Sequence, residues 1–227
     1  LEQIACGSDV AKLSLRDLGW ALAGSVLGAT TVATTMHAAH LAGIEVFATG
    51  GLGGVHRGDT GDVSADLTAL SSIPVAVVCA GVKAILDIPR TLEAFETRGV
   101  PVIGYETAVF PEFYTTGTVH PVTASASDSM AAAAILRAHW RSGMTTGAVV
   151  AVPIPAEHEA DAEAISEAIS AGLYAAERQR VTGKEVSPFL LAFVAQHTGG
   201  DSLDANIELV VNNAKVAASI ATALKTV

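Results

Sequence analysis

The sequence predicts an α/β fold built on a mostly parallel sheet with helices over both faces. Three observations carry this. Four short, nearly continuous apolar runs occur at residues 44–49, 75–80, 100–105 and 148–152; strands buried on both faces read this way, whereas a half-solvated strand alternates. Longer stretches of helical periodicity separate the runs, and the default for such a βαβ order is a right-handed crossover. Half of the 227 residues are hydrophobic but only 5% are aromatic. The core is therefore made of small side chains, with the close backbone contacts of helix-on-sheet layers. A chain of this length buries one sizeable core. No repeat, low-complexity tract or linker divides it, so a single domain over residues 1–227 is expected.

Taken in order, residues 31–42 are a helix stopped by Gly43, with Thr30 and Thr31 as its N-cap. The run 44–49 is a strand that enters a loop carrying five glycines between Gly50 and Gly58. The run 75–80 leads through Gly81 to Lys83, and a helix is predicted over 84–98 with Gly99 as its C-terminal glycine. The strand 100–105 ends on Tyr105. Helix 130–141 precedes the strand 148–152, which meets Pro153 and Pro155. Helix 157–178 follows. The chain closes on helices 187–197, stopped by Gly199 and Gly200, and 203–225, which Asp201 or Ser202 would cap. Ligands of open α/β sheets bind beyond the carboxyl ends of the strands. Here those ends carry the glycine loop, Lys83, Tyr105 and the two prolines, so the site is expected among them.

Composition excludes several classes. A net charge of −10 argues against binding a phosphate backbone, which selects for basic chains. No uncharged apolar run reaches membrane length. The first residues lack the basic start and apolar core of a signal peptide. Two cysteines are too few for a disulfide scaffold, and Cys79 sits in an apolar run where a buried inert thiol is expected. A reducing, cytoplasmic setting follows from these expectations.

Lys83 comes two residues after a buried strand and opens the predicted helix. The positive end of the helix dipole and partial burial both disfavour an ammonium there, which lowers its pKa. A free amine is what Schiff-base chemistry with a sugar aldehyde requires. The alternative is a lysine whose stem runs out to solvent, and the spacing leaves both open. The glycine loop, with Thr49 at its mouth and His56 and Arg57 adding positive charge, suits a phosphate or sugar phosphate. It is neither a Walker loop nor a dinucleotide fingerprint. Asp62, Ser64 and Asp66 follow directly. A carboxylate with waters suits a hard divalent ion; equally, Asp62 caps a turn and Asp66 starts a helix. Asn206 and Asn213 share a helix face with Val210 and Ala217 and need partners, either backbone groups or a ligand. His37 and His40 lie three apart on a helix, where surface placement is the expectation.

Several strings resemble the pseudouridine-5'-phosphate glycosidases: residues 28–36, 46–58 (Val-Phe-Ala-Thr-Gly-Gly-Leu-Gly-Gly-Val-His-Arg-Gly), 62–67 (Asp-Val-Ser-Ala-Asp-Leu), 77–87, 183–191 and 198–207. The resemblance runs over essentially the whole chain. It implies a three-layer α/β/α sandwich, usually a homotrimer, that interconverts pseudouridine 5'-phosphate with uracil and ribose 5-phosphate. It further implies that Lys83 forms an imine with C1 of the sugar and that the opened ribose serves as the electron sink for C–C cleavage. Asp62 would hold Mn2+ through its waters, with Mg2+ or another divalent ion as alternatives. Ser64, Ala65, Asp66, Lys12, Val32 and Asn206 match substrate contacts.

Two departures bear on this. Family members carry a further N-terminal part, roughly a quarter of their length, with a glutamate that opens the ribose ring. This chain lacks a match to it, which suggests a fragment or a separately supplied N-terminal piece. In residues 112–128 an arginine and an aspartate expected from the family are replaced, so the aglycone need not be uracil. Two other functions therefore stand beside the first: C-ribosylation of an aromatic natural product with ribose 5-phosphate, as in C-glycosynthase relatives, and a non-catalytic sugar-phosphate-binding subunit. Nucleic acid and membrane are not expected partners. A nucleotide-binding oxidoreductase rests on the glycine loop alone.

Overall fold

The apolar runs pair with one another, and a fifth strand joins them. The computed structural model describes residues 2–7, 10–58, 61–117 and 119–227, apart from the Lys184 side chain. Thr118, within the 112–128 segment, lies outside the described residues. In chain order the elements are α1 (Glu2–Cys6), β1 (Ala11–Leu13), α2 (Leu18–Ala23), β2 (Gly28–Thr30), α3 (Val32–Leu41), β3 (Val46–Ala48), β4 (Val55–His56), α4 (Ala65–Leu70) and β5 (Ala76–Cys79). They continue with β6 (Leu86–Asp87), α5 (Ile88–Thr97), β7 (Val102–Tyr105), β8 (Ala124–Ala126), α6 (Ser129–Arg141), β9 (Ala148–Ala151), α7 (Ala162–Arg178), α8 (Val186–His197) and α9 (Asp201–Ala223).

The main sheet has the order β3-β5-β9-β7-β8, and every pair is parallel, with Val46 opposite Ala76, Ala76 opposite Ala148, Ile103 opposite Val150 and Ile103 opposite Ala124. Successive side chains of a strand point to opposite faces, and both faces are dry here. Val77 and Cys79 pack with Met36, Leu70, Phe95 and Ile169; Ala76, Val78 and Val150 pack with Leu136 and Ile220. Helices α3, α4, α5, α7 and α8 thus cover one face, and α6 with the C-terminal half of α9 covers the other. The molecule is the three-layer α/β/α sandwich that the resemblance implied. Two small sheets stand apart: β1–β2, parallel, and β4–β6, antiparallel. Among the described residues no helix is long and apolar enough to cross a membrane.

Four expectations need correction. The helix predicted over 84–98 begins only at Ile88. Leu86 and Asp87 instead pair with Val55 and His56, and the Asp87 side chain caps the helix by accepting from the Arg90 amide at 3.0 Å, with Pro89 in its first turn. Lys83 is therefore in a turn and not at a helix start. The helix predicted over 157–178 begins at Ala162, because Asp161 accepts from the amides of Glu163 (2.9 Å) and Ala164 (3.1 Å). The last helix is entered through Gly200, at φ +104°, and neither Asp201 nor Ser202 caps it. The fifth strand, Ala124–Ala126, has no apolar run to announce it; it sits at the sheet edge beside β7.

Candidate active site

The backbone of the loop after β3 packs closely against other groups. A Cβ on Gly53 would overlap the Ser64 hydroxyl and sit 2.8 Å from Asp66 Oδ2, so only glycine fits. That proximity exists because Asp66 ties three segments together. Its Oδ2 accepts from the Gly53 amide at 2.8 Å and its Oδ1 from the Ala33 amide in the first turn of α3 at 2.9 Å. Asp66 is 5% exposed, and a buried carboxylate needs such donors. The Ser64 hydroxyl caps α4 by accepting from the Asp66 amide at 3.2 Å. The start of α3 is built the same way: Thr31 caps it, and the Thr34 hydroxyl donates to the Leu13 carbonyl at 2.6 Å, tying α3 to β1. Asn213, fully buried on α9, donates to the carbonyls of Thr49 (2.9 Å) and Gly50 (3.4 Å) and holds the near end of the loop. Of the two open readings for that asparagine, the partners are backbone groups.

Lys83 follows β5 by a tight turn in which Gly81 takes φ +86°. Its amide donates to the Leu52 carbonyl at 3.1 Å, which sets the lysine turn beside the glycine loop. Burial pushes its ammonium pKa below the usual lysine range; the Asp66 carboxylate opposes that shift and the Lys12 ammonium adds to it. The depression expected from a helix N-terminus has no basis, since no helix starts here; burial is the cause. Cys79, one strand residue before the turn, is buried and its thiol is pushed up to about 12, so it stays an inert thiol.

A cleft of about 900 Å³ opens at the carboxyl ends of β3 and β5. Lys12, Val32, Thr49, Ser64, Ala65, Asp66, Asp62, Lys83 and Asn206 all line it. Arg57 does not: its Nη2 donates to the Ala84 carbonyl at 2.9 Å and its Nε to the Leu86 carbonyl at 3.1 Å. Its guanidinium is turned onto the backbone behind Lys83. Asp62 is partly exposed, with its Oδ2 3.8 Å from His56 Nε2. Among the described residues no cluster of three or more His, Cys, Asp or Glu is placed to hold a metal, His37 and His40 included. Of the two cleft carboxylates Asp66 already accepts from backbone amides through both oxygens, so Asp62 would suit an ion that keeps most of its waters, not one enclosed by protein ligands.

Tyr105 and the prolines at the other strand ends stay out of this cleft: the Tyr105 hydroxyl meets Ser129 Oγ at 3.2 Å, and the Pro153 carbonyl accepts from Asn212 at 3.3 Å. Arg16, Thr35, Phe113 and Ser187 line the cleft without having been singled out as contacts, and His56, read with the glycine loop as positive charge for a phosphate, lines it too. Arg16 and Ser187 carried no local signal, whereas Phe113 belongs to the 112–128 segment. Its amide donates to the Ala80 carbonyl at 3.0 Å and its φ is +71°, an uncommon conformation for a bulky residue. Of the described residues of that segment only Phe113 reaches the cleft. His120 to Thr123 line a separate groove of about 740 Å³ beside α5 and the start of β7.

The profile of the indigoidine synthase A-like proteins matches residues 1–223. The chain belongs to this family. Within it, the chain is 52% identical over 227 residues to the pseudouridine-5'-phosphate glycosidase of Chloroflexus aurantiacus, an alignment covering 97% of the chain and 74% of that protein. It is 49% identical over 226 residues to the enzyme of the same name from Caldanaerobacter subterraneus subsp. tengcongensis, covering 99% and 74% respectively. The crystal structure of the prealnumycin C-glycosynthase AlnA in complex with ribulose 5-phosphate superposes with a TM-score of 0.92 at 38% identity, covering 99% of this chain and 75% of that one. The family resemblance read from the strings and the sandwich built from the burial pattern thus meet in the same proteins.

Proposed function

We propose that this chain is a pseudouridine-5'-phosphate glycosidase, cleaving the C–C glycosidic bond to give uracil and ribose 5-phosphate through an imine on Lys83. One observation carries the reading: a half-buried lysine of lowered pKa faces a cleft with the glycine loop and the start of α3, in a chain about half identical to enzymes of that name. The Lys83 nitrogen displaces the ring oxygen at C1, which leaves as the protonated C4 hydroxyl. The nitrogen lone pair then forms C=N as the C–C pair departs to the uracil carbon, which takes a proton; in this step the base, and not the opened ribose that the resemblance implied, takes up the electron pair. Water hydrolyses the imine and returns the free amine with ribose 5-phosphate. In this reading Lys12, Val32, Thr49, Ser64, Ala65, Asp66 and Asn206 surround the sugar phosphate, and Asp66 does so as a brace, since both its oxygens already accept from backbone amides.

Asp62 is the residue that would hold Mn2+, or another hard divalent ion, through its waters; when bound, the ion supplies positive charge to a phosphorylated ligand. A homotrimer and a cytoplasmic setting complete the proposal. Exposed apolar side chains such as Trp20, Leu22 and Leu41 are the kind of surface an assembly covers, and light scattering reads the mass. C-ribosylation of an aromatic carbon shares the same imine and is favoured by the fit to AlnA; the higher identity to the glycosidases places it second.

The deciding experiment mixes the chain with ribose 5-phosphate, reduces with borohydride and maps the added mass, while uracil release from pseudouridine 5'-phosphate is followed with and without Mn2+ after chelation. A single adduct on Lys83 together with uracil release is expected. An adduct without uracil release moves the reading to the synthase; a folded protein with neither defeats both.

A further inference from the structure

We propose that Arg57 is a positioning residue that fixes the turn carrying Lys83, and so aims the amine without touching the sugar. This rests on Lys83 being the imine-forming residue. The turn from Lys83 to Leu86 precedes the helix, so its carbonyls have no helix partners of their own. Arg57 takes two of them: Ala84, the residue next to Lys83, at 2.9 Å through Nη2, and Leu86 at 3.1 Å through Nε. The remaining backbone bonds at Lys83 are its amide to the Leu52 carbonyl (3.1 Å) and its carbonyl from the Leu86 amide (2.9 Å).

A second guanidinium runs the opposite way. Arg90, on α5 beyond the lysine turn, donates to the carbonyl of Gly58, the neighbour of Arg57, at 2.8 Å. Between the two arginines, Val55 pairs with Asp87 and His56 with Leu86. The Thr91 hydroxyl accepts from the Val55 amide at 2.9 Å and donates to the Asp87 carbonyl at 2.6 Å. The glycine loop and the lysine turn therefore hold each other from both sides. The fork geometry is what the contact uses: Nε and Nη2 of one planar group span two carbonyls, whereas a lysine ammonium is a point donor for one. Arg57 lies outside the cleft, and most of the residues around the sugar hang on β1, α3, α4 and α9, with Thr49 held by Asn213 at the end of the glycine loop away from Arg57, so losing the fork moves the nucleophile and leaves most of the binding wall in place. Misplacement of a reacting group by about 1 Å costs on the order of 10²-fold in rate.

The test uses Arg57→Ala and Arg57→Lys, the second keeping the charge and the aliphatic stem of an exposed side chain. Each is checked for folding by circular dichroism and mixed with saturating ribose 5-phosphate, and the Lys83 adduct is trapped with borohydride at timed intervals. Affinity is measured separately with ribitol 5-phosphate, which has no carbonyl and forms no imine. The expected result is a trapping rate lower by at least about tenfold in Arg57→Ala and by less in Arg57→Lys, with ribitol 5-phosphate affinity held within about twofold of the parent. A full trapping rate in folded Arg57→Ala overturns the proposal. So does a loss that appears in ribitol 5-phosphate affinity instead of rate, which would make Arg57 a ligand contact. An unmodified parent chain would remove the Lys83 reading itself, so the two failures are distinct.

Discussion

Imine formation consumes a free amine, so the protonation of Lys83 gates the proposed reaction. Its pKa is lowered first by burial, against the pull of Asp66, and further by the charge of Lys12. The sign follows directly. A lowered pKa keeps the amine free at a lower pH than an ordinary lysine allows; turnover is present above that pKa and is lost as pH falls through it. Replacing Lys12 with methionine removes a contribution that lowers the pKa, so the pKa of Lys83 rises and the acid limb of the kcat profile moves to higher pH. Lys12→Arg keeps the charge and leaves the limb where it was. The limb is read in kcat and not kcat/KM, because Lys12 also lines the cleft and its loss weakens binding at every pH. A limb that does not move in Lys12→Met means that the two ammonium groups do not sense each other. Lys83 was legible as a residue from its place after a buried strand. The reason for its pKa was only half legible, since the helix dipole invoked for it belongs to a helix that starts five residues later.

That late start is a matter of elements. Helical periodicity runs through residues 84–98, but pattern alone does not say which of several starts wins. Asp87 with Pro89 behind it is the stronger start, and Leu86–Asp87 gains strand partners in Val55–His56 only once the glycine loop has folded back. The missed strand Ala124–Ala126 fails for a different reason: an edge strand of Ala-Ser-Ala carries no apolar run, and its partner β7 supplies the pairing. The runs of β5, β7 and β9 were readable because interior strands covered on both faces must be continuously apolar; β3, at the opposite edge from β8, keeps an apolar run as well. Arg57 shows the limit at the site. Its charge beside a glycine loop pointed to a phosphate, but the carbonyls it serves exist only because the lysine turn is not helical. The cap that ends that turn is testable alone. Asp87→Ala leaves the Arg90 amide without its partner and is expected to lower stability by about 1 kcal/mol, read as a shift in the urea midpoint with an unchanged slope. A change below about 0.3 kcal/mol would mean that Pro89 and the Thr91 bonds start the helix without the cap.

At the scale of the whole molecule, charge sets a problem the cleft has to solve. The chain carries a formal net charge of −10, and the proposed ligands carry a phosphate. The long-range field therefore repels the ligand that the local cations Lys12 and Arg16 attract at the cleft. The two effects act over different distances. At about 10 mM salt the Debye length is about 30 Å and the whole surface is felt; at about 150 mM it is about 8 Å and little beyond the cleft counts. Raising the salt screens the repulsion first, so kcat/KM for pseudouridine 5'-phosphate is expected to stay level or rise by up to about twofold between those concentrations. A basic protein holding a phosphate backbone behaves oppositely, losing affinity steeply over a similar range. A fall of more than about tenfold across this interval would show that the cleft cations dominate the approach as well as the contact. The acidic surface would then be electrostatically silent toward the substrate, and the partly exposed Asp62 would be the first carboxylate to examine for a bound counter-ion.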